Sequence, residues 1–220
     1  MTAELIAQCL DRLVELANSA QMQSPFDVDV GGLQLPASVF DDAARLDPAS
    51  FVRHVLPRVI RLITEHAVTT EDGRVLDQVW PYRFLGLRHD FRGLVFEALC
   101  DAMGRLATAD PALFDDYTRS LESLPHQNIV SLLLSAWAAN GPLFSNRVID
   151  HLLAAPHRLD LGYSSWGGGN GKAAISRGAI KAVSMHCDEV HFRRIEKAIL
   201  DFYPPFERQQ PKRLGFTQYL

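Results

Sequence analysis

The stretch 50–66, SFVRHVLPRVIRLITEH, decides the fold class of this chain. Its apolar side chains recur at steps of three and four residues, the spacing that places side chains on one face of an α-helix. The residues that share this face are Phe51, Val52, Val55, Leu56, Val59, Leu62 and Ile63. The stretch is therefore predicted to be a helix whose apolar face packs into a core.

The same period returns along the rest of the chain. In the first segment the predicted apolar face consists of Leu5, Ile6, Cys9, Leu10, Leu13, Leu16, Ala17 and Ala20. Further helical patterns cover 91–107, 129–139, 173–186 and 189–202. Alternation of the strand type is brief and confined to 26–30. The sequence therefore predicts an all-α fold.

The starts of the predicted helices carry capping residues. Asp47-Pro48 and Asp110-Pro111 each place an acid at the N-cap and a proline at the first helical position. Asp188 is placed to cap the helix that follows it. These signals divide the second half of the chain into three helix pairs, which are 91–107 with 111–121, 129–139 with 142–153, and 173–186 with 189–202.

In each pair the first helix is rich in alanine and leucine, and the second is more amphipathic and carries more charge. Stacked helix pairs need this division, because the inner helix is covered on several sides and the outer helix has one solvated face. The pattern resembles HEAT-like or armadillo-like repeats, which implies an α-solenoid-like stack with long irregular loops. An all-α bundle is the competing architecture.

The predicted array is one repeat domain over 1–220. It contains N-terminal helices at 1–68, a long connection at 69–90, the three pairs at 91–202, and the start of a truncated helix at 203–220. An apolar pattern that stops soon after it begins, at 212–220, suggests that the chain is a fragment of something larger.

A narrower resemblance rests on two stretches. LDQVWPYRFLGLRHDFRGLVFEALCDAMGRL at 76–106, together with HLLAAPHRLDLGYSSWGGGNGK at 151–172, is similar to the helical regions of very large bacterial P-loop NTPases of the STAND type. The resemblance implies helical repeats that sense a ligand and are coupled to a nucleotide switch, often in anti-phage defence. This chain would then be part of the repeat region.

Composition excludes several classes of protein. With a net charge of −4 there is no basic surplus, so nucleic acid is not the favoured partner. Three widely spaced cysteines do not form a disulfide framework, which predicts a cytoplasmic location. The N-terminal stretch carries acids among its apolar residues and is not a signal peptide. No run approaches the roughly 18–20 apolar residues of a spanning helix, so no membrane partner is predicted.

The glycine-rich segment 162–172, GYSSWGGGNGK, is the first candidate site. It is not a P-loop: Trp166 stands where the first glycine belongs, and Ala173 follows Lys172 where serine or threonine is required. A flexible loop that enters a helix still favours an anion, through free amides, the helix dipole and Lys172. The candidate binding residues are Tyr163, Trp166, Gly168, Asn170 and Lys172. The alternative is an exposed loop whose glycines serve turns.

The second candidate site lies in the long connection, where Trp80, Arg83 and Arg88 interleave aromatic and basic side chains. Such residues stack on bases or form hot spots at protein interfaces. The alternative is that Trp80 and its aromatic neighbours pack over the adjoining helices.

No catalytic residue and no cofactor is predicted. His186 and His191 flank an acidic turn, but the helix break at Asp188 separates them, and the sequence contains no H-E-x-x-H motif, so no metal site is predicted. Neither a G-x-S-x-G motif nor another recognisable nucleophile is present.

Three functions remain open. The first is a non-enzymatic interaction or sensor module that contacts a protein or other domains of a larger parent. The second is a small helical enzyme or ligand-binding protein with a site near the glycine-rich segment. The third is a helical-repeat nucleic-acid binder that uses Arg83, Arg88, Arg92 and Lys172.

Overall fold

A computed structural model describes residues 2–22, 26, 36–71, 73–77, 79–80, 91–162 and 173–202. Within these ranges the chain is mostly helical, with one small two-stranded sheet, which agrees with the predicted all-α class. The elements are α1 (Ala3–Ser19), α2 (Ala37–Leu46), α3 (Pro48–Glu65), β1 (Ala67–Thr69), β2 (Val75–Asp77), α4 (Phe91–Ala109), α5 (Pro111–Thr118), α6 (Gln127–Ala139), α7 (Gly141–Leu153), α8 (Ala174–Val183) and α9 (Glu189–Leu200). Two 3-10 turns, Arg119–Leu121 and Pro156–Asp160, follow α5 and α7.

The apolar face predicted in α3 is the face that the fold buries. The buried residues of this helix are the predicted ones: Phe51, Val52, Val55, Leu56, Val59, Leu62 and Ile63. In α1 the agreement is partial, because Leu5 and Leu16 are exposed whereas Ile6, Leu10 and Ala17 are buried. The predicted face of α1 is therefore wider than the face that packs.

The predicted caps form. The carboxylate of Asp47 accepts a hydrogen bond from the Ser50 amide at 2.9 Å, and that of Asp110 accepts one from the Leu113 amide at 3.1 Å. Asp47 (φ −143°, ψ 76°) and Asp110 (φ −144°, ψ 80°) share one backbone conformation. Asp188 caps α9 in the same way, through the His191 amide at 2.9 Å.

The connection after α3 is more ordered than predicted, because it begins with an antiparallel hairpin. β1 pairs with β2 in the register Ala67 to Asp77, Val68 to Leu76 and Thr69 to Val75. Gly73, at φ +80°, provides the left-handed residue of the turn. Strands of three residues are too short to show an alternating pattern, which is why the hairpin could not be predicted from the spacing of apolar residues.

A buried polar group, which we call the Asp77 latch, fastens the end of this hairpin. It consists of Asp77, Trp80 and Asn128. One carboxylate oxygen of Asp77 accepts the Trp80 amide at 2.7 Å, and the other accepts the Asn128 side-chain amide. All three residues are buried. The latch therefore ties the hairpin to the first turn of α6.

The chain divides into two compact units, Met1–Ala136 and Trp137–Leu220. In the first unit α3 packs against α1, α2, α4 and α5, and α4 packs against α2 as well. Arg58 on α3 donates two hydrogen bonds to one oxygen of Asp11 on α1, at 2.8 and 2.6 Å.

In the second unit α7 packs against α8, α9 and the second 3-10 turn. The start of α7 comes so close to α8 that a Cβ added to Gly141 would lie 2.5 Å from the Ala182 carbonyl oxygen. The described helices follow the predicted order along the chain, and of the three predicted pairs α4 with α5 is among the packed pairs. None of the described helices is both long enough and apolar enough to cross a membrane.

Candidate functional site

The second unit contains a group of buried and half-buried aromatic and basic side chains, which we call the basic cluster. Its members are Trp137, Arg147, His151 and Arg158. Trp137 lies in the last turn of α6, and Arg147 and His151 share one side of α7 because they are four residues apart. Arg158 lies in the 3-10 turn that Pro156 opens.

Trp137 contacts the side chains of His151 and Arg147, and Arg158 bonds to the backbone of His151. The ring centroids of Trp137 and His151 are 5.1 Å apart, with the planes at 79°. The guanidinium carbon of Arg147 lies 5.1 Å from the centroid of the Trp137 ring, a cation–π distance. Arg158 donates from Nη1 to the carbonyl oxygen of His151 at 2.9 Å. The cluster therefore joins α6, α7 and the 3-10 turn.

Burial leaves three polar atoms of the cluster without a hydrogen-bond partner in the described part of the chain: Trp137 Nε1, His151 Nε2 and Arg158 Nε. Trp137 is fully buried, and His151 and Arg158 are each 8% exposed. An unpaired polar atom in a protein interior costs about 1–3 kcal/mol. Three of them on neighbouring residues call for an explanation, such as a bound ion, a bound ligand or water.

The same burial sets the charges of the cluster. Desolvation, assisted by the positive charges of Arg158 and Arg147, lowers the pKa of His151 to about 3. Burial also lowers the pKa of Arg158 from its usual value of 12.5. His151 is therefore neutral near pH 7, whereas the two arginines keep their charge. Asp160, at the end of the 3-10 turn, is buried as well and has interactions of its own.

The glycine-rich segment is attached beside this cluster. Its flanking residues are tied together: the Leu161 carbonyl accepts the amides of Ile175 and Ser176, at 3.0 and 3.1 Å. The Ser176 hydroxyl donates to the Arg158 carbonyl at 2.8 Å and accepts the Leu161 amide at 3.0 Å. A Cβ on Gly162 would lie 2.3 Å from the Ala174 nitrogen, so only glycine fits at this junction.

These bonds bear on the anion site that the sequence suggested at the start of α8. Two of its amides, those of Ile175 and Ser176, are not free because Leu161 already accepts from them. The predicted binding residues Tyr163, Trp166, Gly168, Asn170 and Lys172 lie outside the described residues.

Of the second predicted site, the described residues include only Trp80. This side chain is 3% exposed and packs between Phe26 and Phe96, with ring centroids 5.6 Å away on each side. Its Nε1 donates to the Arg92 carbonyl at 3.1 Å. Trp80 is therefore placed as a core residue, the alternative that the sequence left open. Arg83 and Arg88 lie outside the described residues.

In the part of the chain that the structure describes, no group of three or more potential ligands could hold a metal ion. His191 instead joins α9 to α7. Its Nδ1 lies 2.7 Å from Asp188 Oδ1, and its Nε2 lies 3.3 Å from Asp150 Oδ2. The bond to Asp188 is the main cause of a raised His191 pKa, and Asp150 adds to it.

Sequence reasoning missed the basic cluster, although one signal was present. His151 follows Phe144 and Val148 at helical spacing, so it occupies an apolar position of α7. A polar side chain at a position that the helical spacing assigns to the core departs from the apolar pattern, and such departures are often functional. Trp137 and Arg158 gave no comparable signal.

No protein-family model matches the chain, and the comparisons with curated proteins and with solved structures return no match.

Proposed function

We propose that this chain is a non-enzymatic sensor or interaction module whose ligand binds at the basic cluster. In this proposal the helix pairs form a HEAT-like or armadillo-like stack. The stack belongs to a larger cytoplasmic bacterial protein, of the NTPase-linked defence type that the sequence resembles. The succession of helices along the chain and the shared Asp-Pro caps support the stack.

The observation that carries the proposal is the set of three buried polar atoms without partners. A domain that only had to fold would gain stability by replacing them with apolar atoms. A domain that binds a polar ligand keeps them, because the ligand supplies the missing hydrogen bonds.

Binding is favoured over catalysis by the electrostatics of the cluster. A general acid or base works best when its pKa lies near the working pH. With a pKa of about 3, His151 would not exchange protons near neutrality. Trp137 Nε1 and Arg158 donate hydrogen bonds but do not accept protons there. The cluster thus has the properties of a recognition site.

A second observation supports contact with a protein or with other domains of the parent. On the second unit, Met185 (89% exposed), Val190 (66%) and Leu200 (74%) present large apolar side chains to solvent. Where such side chains form one contiguous patch, they mark a surface that a partner covers. Nucleic acid receives less support, because Arg193 and Arg194 on α9 are paired with Glu189, Glu196 and Asp150.

The proposal is tested by a thermal-shift screen of polar small molecules against three proteins: the wild-type chain, Arg158→Met and Arg105→Met. Arg105 is the matched control, since its guanidinium pairs with Asp101 on α4 and both side chains are half exposed. We expect at least one class of ligand to raise the Tm of the wild type and of Arg105→Met but not of Arg158→Met. A screen in which no ligand separates Arg158→Met from the other two would refute the proposal.

A further inference from the structure

We infer that the ligand of the basic cluster is a small oxyanion, a phosphate or carboxylate group, held by Trp137 Nε1 and Arg158 Nε. This inference rests on the proposed function and specifies the chemistry of its ligand.

The first argument is hydrogen-bond polarity. The indole Nε1 of Trp137 and the guanidinium Nε of Arg158 can only donate, and neither has a partner in the described part of the chain. The ligand atom that pairs with them must therefore be an acceptor. A neutral His151 can donate from Nε2 as well, in the tautomer that places its proton there.

The second argument is charge. Arg147 and Arg158 both act electrostatically on His151, which places two guanidinium groups near one imidazole. The half-buried Arg147 and the buried Arg158 carry two positive charges, and Asp160, the buried carboxylate closest to Arg158 along the chain, carries one negative charge. A negatively charged acceptor is favoured over a neutral one, because hydrogen bonds between charged groups are shorter and stronger.

The third argument is the position of the donors. Trp137 is in ring contact with His151, and Arg158 is bonded to the backbone of His151, so both residues are direct neighbours of His151. The 3-10 turn and the bond from Ser176 fix the backbone of Arg158 before any ligand arrives. A preorganised group loses little freedom on binding.

A single buried water molecule is the competing occupant. A water can accept two hydrogen bonds, and its two hydrogens would then need acceptors. His151 Nε2 can accept one of them, and the other would need a further acceptor such as the buried Asp160 carboxylate. An oxyanion needs no further acceptors, which makes it the better complement to a site composed mainly of donors.

The test follows the Trp137 indole resonance in ¹H–¹⁵N NMR spectra while inorganic phosphate, ADP or acetate is added. Trp137→Phe identifies the resonance, and sodium chloride at matched ionic strength is the reference. We expect at least one oxyanion to move the resonance downfield in a saturable way. The three oxyanions distinguish a free phosphate, a nucleotide phosphate and a carboxylate. In Arg158→Met the apparent Kd should rise about tenfold or more, the effect of losing one charge-assisted hydrogen bond.

Two results would overturn the inference. One is a Trp137 resonance that moves as much with chloride as with an oxyanion, or that does not move with any oxyanion. Either outcome indicates that a water molecule occupies the site. The other is an equal Kd in Arg158→Met and Arg105→Met. If Arg158→Met loses its dispersed spectrum, Arg158→Lys replaces it, since lysine keeps the charge but lacks the Nε donor. When a neutral ligand binds and no oxyanion does, the inference fails and the proposed function stands; when nothing binds, both fail.

Discussion

The Asp77 latch and the basic cluster are both buried polar groups, and they differ in how their hydrogen bonds are satisfied. In the latch, each oxygen of the Asp77 carboxylate accepts a bond from a named donor. In the basic cluster, three polar atoms have no partner within the described residues. A polar group that is satisfied within the chain contributes to stability, whereas one with unpaired donors costs stability and retains the capacity to bind.

The largest expected effect comes from breaking the latch. Asp77→Ala removes the two oxygens that accept from the Trp80 amide and from the buried Asn128 side chain. We expect the free energy of unfolding to fall by about 3 kcal/mol in urea titrations. Asp101→Ala is the control, because Asp101 pairs with Arg105 on the helix surface and should cost less than about 0.5 kcal/mol. Equal losses in the two variants would show that the latch is not structural.

The next effect tests the cost of the basic cluster through pH. In the folded chain the pKa of His151 is about 3, and in the unfolded chain it is roughly 6.5. Between these values the unfolded chain binds a proton that the folded chain does not, so stability falls as the pH falls through 6.5. The loss should be about 2 kcal/mol between pH 8 and pH 5.

His151→Leu isolates this contribution, because the leucine removes the titrating ring while filling the site. Thermal unfolding across the pH range should show a flatter acid limb for His151→Leu than for the wild type. Burial also lowers the pKa of His126, although the charge of Asp77 opposes this shift. His126 is present in both proteins and contributes equally to both acid limbs. Parallel acid limbs would mean that His151 is not buried as a neutral ring.

The smallest expected effect is the contribution of His191 to stability, whose pH dependence has the opposite sign to that of His151. His191 gains a partner in Asp188, so its pKa is raised in the folded chain. Its contribution is complete below the unfolded pKa of about 6.5 and is lost as the pH rises through the raised folded value. The difference between wild type and His191→Gln should stay below about 0.5 kcal/mol, since its partner carboxylates Asp188 and Asp150 are half exposed. A stability difference that grows toward alkaline pH would contradict this.

Local features of the fold could be predicted from the sequence. The seven core residues of α3 and the caps at Asp47 and Asp110 depend on neighbours within a few positions, and both were predicted correctly. The exposure of Leu5 depends on which elements cover α1, and spacing alone carries no information about that.

The candidate site depends on contacts between distant positions, which is why it was harder to predict. Trp137 and Arg158 are twenty-one positions apart, and only the packing of α7 with the 3-10 turn brings them to His151. The aromatic and basic residues around Trp80 had the composition of a binding surface. Aromatic residues that pack in a core give the same sequence pattern, and in the fold Trp80 is buried.

The close approach at Gly141 bears on how this sequence can vary during evolution. Any side chain at position 141 would meet the Ala182 carbonyl, so this position accepts only glycine unless α8 moves. Gly178, in the middle of α8, has open space where its side chain would be, and alanine favours a helix over glycine there. Two helical glycines of the same unit are therefore subject to opposite selection, and an inventory of natural variants should show one fixed and the other freely replaced.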